Sequence, residues 1–224
     1  MIKGTLNLSE KVGSISPVRR AVVLALLAVF SALLSAYASW DFGILLVNGT
    51  PILPGLCFGL VLSMGVFFWT TRRKSDLFTV LVITTVAWIL AFQTARHIYE
   101  LIDSELGRIQ KQVALDSGSS LVAGLQVNYI FALCGAFGGL VGSFVTGAGI
   151  SFVSREFYAR GNWARTILIG MVTGTLLEFA VSPAMSLRQG LPIHVGSLLP
   201  LFLVWQTSVA ASIGYGLHAR HDPD

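Results

Sequence analysis

The sequence predicts an all-α fold: a polytopic membrane helix bundle of six transmembrane helices, both termini cytoplasmic. Three observations predict it. First, the 224 residues are 54% hydrophobic and only 12% charged, about half of the roughly 25% charge of a soluble domain. Second, the apolar residues fall in six runs, each near the roughly 20 residues a helix needs to cross a hydrocarbon core about 30 Å thick. Third, the basic residues collect in alternate loops. Together these exclude a water-soluble globular enzyme, a disordered chain and a disulfide scaffold.

The chain opens with a polar cytoplasmic tail, 1–18, interrupted by Gly13, Ser14, Ser16 and Pro17. The first span is expected over Ala21–Trp40. Arg19-Arg20, the apolar stretch and Ala36-Tyr37-Ala38 also fit a signal peptide with an A-x-A cleavage site; the length of the run favours a retained span. Asp41–Thr50 reads as a short outer turn. Its Asn48-Gly49-Thr50 matches a glycosylation acceptor, but Pro51 follows directly. The remaining spans are expected over Pro51–Trp69, Leu77–Ala95, Leu121–Thr146, Ala164–Ser182 and Ser197–Leu217. The membrane domain thus covers 19–218, and 219–224 form a C-terminal tail.

The longest connection joins the third and fourth spans. There Ile98, Leu101, Ile102, Leu106, Ile109 and Val113 recur at helical spacing, which predicts an amphipathic helix in the third, outer loop. Arg96, Glu100, Asp103, Glu105 and Lys111 occupy its other faces. Such a helix either extends the third span or lies along the headgroups. It would cap the bundle; the sharper reading is a lid or partner surface. Gly147-Ala148-Gly149 is expected to end the fourth helix, and Pro200 to kink the sixth.

Lys and Arg favour the cytoplasmic side. With the N-terminus inside, eleven of the basic residues fall in cytoplasmic segments and four outside. Trp40, Trp69 and Trp163 fall at expected interfaces, where indole rings are favoured. The expected location is the bacterial inner membrane, and the loop placement of the basic residues behind the net charge of +4 sets orientation. It forms no nucleic-acid stripe, so no nucleic-acid partner is expected. Three helices, a connector and three helices also permit an inverted repeat, although no residue-level match between the halves supports one.

Lipid does not drive helices together, so small residues that permit close approach mark packing faces. Gly135 with Gly139, and Gly138 with Gly142, form two GxxxG pairs in the fourth span. Gly170, Gly174, Glu178 and Ser182 recur every four residues in the fifth, and Gly55 and Gly59 do so in the second. These faces are read as structural, or as docking surfaces for another membrane protein or a second copy.

Glu178 is the one acidic residue well inside a span. A carboxylate there must be paired, protonated or facing water. At its depth the sequence places Gln93, Arg96 and His97 at the outer end of the third span, and Gln126 and Asn128 at the start of the fourth. Arg96 could pair with Glu178. This group defines a candidate substrate- or ion-binding site in the outer third of the bundle; its structural counterpart is an ion pair locking three helices. Gln206, mid-way along the sixth span, is a lesser candidate. Trp88 and Trp205 read as core.

No catalytic group, metal site or cofactor is expected. Cys57 and Cys134 lie within apolar runs, HExxH is absent, and His97, His194, His218 and His221 sit at helix ends or in loops. The leading expectation is a transporter-like or small-solute-binding membrane protein. The alternative is a non-catalytic structural or assembly subunit that binds another membrane protein through its small-residue faces. A membrane-embedded enzyme ranks third, because no nucleophile–base pair can be named.

Overall fold

The computed structural model describes residues 15–41, 46–47, 50–70, 73–117, 123–154, 157–158, 161–176 and 199–217. Side chains are described over the same ranges except 38–51, 103 and 106–129. Among these residues the fold is helical: α1 (Pro17–Asp41), α2 (Leu53–Trp69), α3 (Lys74–Ser117), α4 (Ala123–Val153), α5 (Asn162–Gly174) and α6 (Leu199–Gly216). One two-residue antiparallel pairing, β1 (Leu46–Val47) with β2 (Thr50–Pro51), tightens the link from α1 to α2 in the register Leu46–Pro51 and Val47–Thr50.

Sequence neighbours are spatial neighbours. Each helix packs on the next, and α6 returns to pack along α1, which closes the circuit. Short connections favour this arrangement because consecutive helices then run antiparallel. The interior is filled by Leu24 and Ala28 of α1, Phe58, Leu62 and Val66 of α2, Val80 of α3, Ile150 of α4, and Trp205, Val209 and Ile213 of α6. Trp205 stacks obliquely on Phe58 at 5.5 Å and on Trp88 at 6.4 Å, so the centre is aromatic.

The outside is apolar as well. Val22, Leu26, Phe30, Leu33 and Tyr37 of α1 are exposed, as are Phe144 and Phe152 of α4. A water-soluble monomer rarely exposes a continuous apolar patch of this kind, whereas lipid solvates one without cost. Among the described residues three stretches are long and apolar enough to cross a bilayer: Pro17–Tyr37, Lys74–Ile102 and Ile130–Val153. The apolar α2 is shorter, at 17 residues. The chain is therefore a helical membrane protein.

Several boundaries differ from the expectation. The third span and the amphipathic loop helix are one continuous helix of 44 residues, about 66 Å long at 1.5 Å per residue. The apolar stripe of the loop continues the helical phase of the span, and nothing between them carries a Pro or Gly before Gly107. The expected break at Gly147-Ala148-Gly149 does not occur, since α4 runs unbroken to Val153. Gly149 packs against Ile83, so this glycine serves a close helix contact and not a chain reversal. α6 is described from Leu199, so whether Pro200 kinks it, as expected, depends on residues outside the described ones. α5 is described to Gly174, with a turn at Thr175-Leu176; the expected end of the span at Ser182 lies outside the described residues.

Its start is sharper. Gly161 precedes α5 with φ 66°, the left-handed region in which a side chain costs about 1–2 kcal/mol. No atom lies near the position of its absent Cβ, so the backbone angle alone favours glycine there.

Candidate functional site

The glycine faces are used within the chain. α4 carries two rows. Gly135 and Gly139 meet Gly174 and Gly170 of α5 so closely that a Cβ on Gly139 would fall on the Gly170 carbonyl oxygen, and one on Gly174 on the Gly135 oxygen. A Cβ on Gly170 would coincide with the Ser143 hydroxyl. The second row turns to α3: a Cβ on Gly138 would sit 2.9 Å from the Ala91 oxygen, and one on Gly142 would sit 3.0 Å from the Ala91 Cβ. Gly55 and Gly59 of α2 also face α3, against Trp88 and Leu81.

The polar residues expected in the outer third are only partly visible. Glu178 lies outside the described residues, as do the side chains of Gln126 and Asn128, whose backbones belong to the first turns of α4. Arg96 Nε donates to Glu100 Oε1 at 2.8 Å, one turn along the same helix, with both side chains more than half exposed. His97 is exposed and Gln93 half-buried. Just beyond them Tyr99 stacks on Phe131 at 5.4 Å, which fixes α4 beside α3 at this level.

Gln206 is the most deeply placed of the candidates. It is fully buried in α6, and its Nε2 donates to Ser35 Oγ of α1 at 3.2 Å, while its Oε1 has no partner. One turn away on α1 the buried Ser31 hydroxyl is also unpartnered. Ala28, Ala32 and Ala36 flank these serines and are themselves buried, so α1 presents a narrow small-residue face to α6. The adjacent Trp205 turns the other way. Its ring reaches Gly142, and its Nε1 has no acceptor; neither do the buried hydroxyls of Ser143 and Thr146 have a partner. Hydroxyls in a membrane helix commonly donate to the carbonyl one turn back, as Thr85 does to Leu81 and Thr79 to Ser75. The unpartnered hydroxyls of Ser31, Ser143 and Thr146 depart from that habit, Ser143 lying against Gly170 of α5.

A second polar group, not anticipated from the sequence, joins the start of α5 to the end of α6. Arg165 Nη2 donates to the Ser212 carbonyl at 2.8 Å and its Nε to Ser212 Oγ at 3.2 Å, and the guanidinium lies 4.7 Å from the centre of the Tyr215 ring. Asn162 Nδ2 donates to the Gly216 carbonyl, and Thr166 Oγ1 shares a hydrogen bond with Ser212 Oγ. The last carbonyls of a helix lack partners within it and carry partial negative charge. Arg165 and Asn162 supply donors and, in Arg165, the complementary positive charge. By sequence Arg165 counted only as a cytoplasmic loop charge. The signal available was depth, because Arg165 and Ser212 belong to the same end of the expected bundle.

The described interior thus offers amide, hydroxyl and indole groups, together with the buried guanidinium of Arg20 on α1. These can hydrogen-bond a neutral polar solute, but they supply no acid–base pair near neutral pH. Comparison with protein-family models, curated proteins and solved structures gives no match for this chain. Its class is defined by its own coordinates: a helical membrane protein whose helices close a circuit around an aromatic and hydroxyl-bearing centre.

Proposed function

We propose that the chain is a six-span protein of the bacterial inner membrane, both termini cytoplasmic, of transporter-like or small-solute-binding type. The observation that carries this reading is Gln206. A structural glutamine in an apolar interior is normally satisfied at both ends of its amide. Gln206 keeps one end for the α1–α6 contact and leaves an acceptor unpaired, and the buried Ser31 hydroxyl, one turn from Ser35 on α1, is unpartnered as well. Intramembrane polar groups are costly and mark solute or ion pathways. Glu178, Arg96, His97, Gln93, Gln126 and Asn128 belong to this proposal as the outer approach to that interior.

The glycine faces are occupied by the chain's own helices, which favours this reading over an assembly subunit that docks through them. A partner would have to use another face.

The test is water access. Gln206→Cys, in a background with Cys57→Ala and Cys134→Ala, is exposed in intact cells to a membrane-impermeant methanethiosulfonate. Labelling from outside, protected by no other treatment than prior blocking from that side, supports an accessible pathway. Absence of labelling, with full labelling after denaturation, makes the α1–α6 contact a dry structural seam and overturns the reading. A reporter fused after Asp224 tests the topology separately and should read cytoplasmic.

A further inference from the structure

Trp205 of α6 packs obliquely between Phe58 and Trp88, and one edge of its indole is turned to α4. A Cβ on Gly142 would lie 3.3 Å from Trp205 Cζ2. Cζ2 and Nε1 are bonded to the same ring carbon, so this edge also carries the indole N–H. That N–H is buried and has no acceptor. An indole nitrogen can only donate, so no other contact of the ring makes up for the missing one. Thr146 lies one turn along α4 from Gly142 and therefore on the same face. A helical Cβ leans toward the N-terminal turn, so the Thr146 side chain leans back toward Gly142 and the indole edge. Its hydroxyl is buried and also has no partner. It forgoes even the bond to the carbonyl one turn back, which Thr85 and Thr166 both make.

We infer that one ordered water molecule bridges Trp205 Nε1 and Thr146 Oγ1, accepting from the indole N–H and donating to the hydroxyl. Buried polar groups are paired with protein or with ordered water, and here a donor and a hydroxyl converge without bonding to each other. Two partners satisfy what an internal water requires. Size argues for water over a larger solute. The Gly142 turn is closed in by α3, where a Cβ on Gly142 would lie 3.0 Å from Ala91 Cβ and 3.6 Å from the Ala87 carbonyl oxygen. Both alanines are buried. The water ties α6 to α4, two helices that otherwise meet sparsely. It also places a polar step in the aromatic centre, on a different face of α6 from Gln206.

The experiment uses the full chain in detergent. A crystal structure at a resolution that shows ordered water is expected to carry density within hydrogen-bond reach, about 2.7–3.2 Å, of both Nε1 and Oγ1. In protein isotope-labelled at tryptophan, the indole N–H signal of Trp205, assigned by its loss in Trp205→Phe, should show an NMR cross-peak to water. Thr146→Val keeps the shape and removes the hydroxyl; the cross-peak should be lost and the indole proton should move upfield. Thr146→Ser keeps the hydroxyl and should retain the cross-peak. Thr85→Val, at a hydroxyl already bonded to the Leu81 carbonyl, should leave it unchanged. A direct bond from Nε1 to Oγ1, or no density between them, overturns the water. A cross-peak unchanged in Thr146→Val, or lost equally in Thr85→Val, overturns the site. None of these readouts depends on solute access to Gln206, so this site and the solute-binding reading fail separately.

Discussion

The α4–α5 seam and the α1–α6 seam join helices of the same bundle by opposite means. At the middle of the α4–α5 seam Gly135 and Gly139 meet Gly174 and Gly170 backbone to backbone, flanked by Ser143 against Gly170 and by Phe144 against Trp163. Between α1 and α6 side chains fill most of the seam, with Leu24, Ala28 and Ala32 packed with Phe202, Val209 and Ile213 and an amide–hydroxyl bond from Gln206 to Ser35, and the backbones approach closely only where Gly214 meets Arg20 and Ala21. The first joins neighbours in sequence, the second the two ends of the chain. Since lipid provides no hydrophobic drive for helix association, each seam must gain from close packing or hydrogen bonding. The glycine seam gains from the number of backbone atoms in contact and has no slack. The side-chain seam can repack, because rotamers can adjust where carbonyls cannot.

This contrast should break first at the glycines. Gly139→Ala places a methyl on a backbone carbonyl, and overpacking of this kind costs about 1–3 kcal/mol; the upper end is expected, seen as loss of monodisperse protein after extraction or a fall in Tm. Gly170→Ala should cost as much, but with a difference. Its nearest obstacle is the Ser143 side chain, so Ser143→Gly should partly restore Gly170→Ala and leave Gly139→Ala unrescued. Equal rescue of both would show that the seam slides, and that its two sides are not held by fixed backbone contacts.

The α1–α6 seam should yield less. Gln206→Leu removes one interhelical hydrogen bond, worth on average about 0.6 kcal/mol in a membrane protein and at most about 1.7. It also removes an unpartnered buried acceptor. The two changes oppose one another, so stability should move by less than about 1 kcal/mol. A larger loss would mean that Oε1 is satisfied in the membrane, and the case for an open acceptor would fall. At the smallest end, Arg96→Ala breaks an exposed pair within one helix, where such pairs contribute about 0.2–0.5 kcal/mol; Tm should hardly change. A strong effect would mean that Arg96 holds another helix as well, which is what the outer-site proposal requires.

Part of this was legible in the residues. The small-residue rows were readable because GxxxG spacing puts glycines on one helix face whatever lies opposite. Which partner each row meets was not: Gly135 and Gly138 differ by three positions, which turns one row to α5 and the other to α3. The continuity of α3 was readable as an option only, since an amphipathic stripe fits both a projecting helix and one lying on the surface. Ser31 and Ser35 passed unnoticed because isolated serines in an apolar run carry no signal until Gln206, 171 positions from Ser35, is brought against them. The same holds for Arg165 and Ser212, which are 47 positions apart.

By itself the sequence determined the solvent. With 54% hydrophobic and 12% charged residues, no packing could bury enough surface for water, and the apolar runs had to become helices because a backbone in lipid must satisfy its own hydrogen bonds. Only the tertiary structure decided which faces turn inward. In lipid an apolar face is equally at home inside or outside the bundle, so hydropathy cannot tell them apart. Close approach of backbones, the one bond from Gln206 to Ser35 and the capping of α6 by Arg165 and Asn162 are long-range contacts, and they exist only once the circuit of helices has closed.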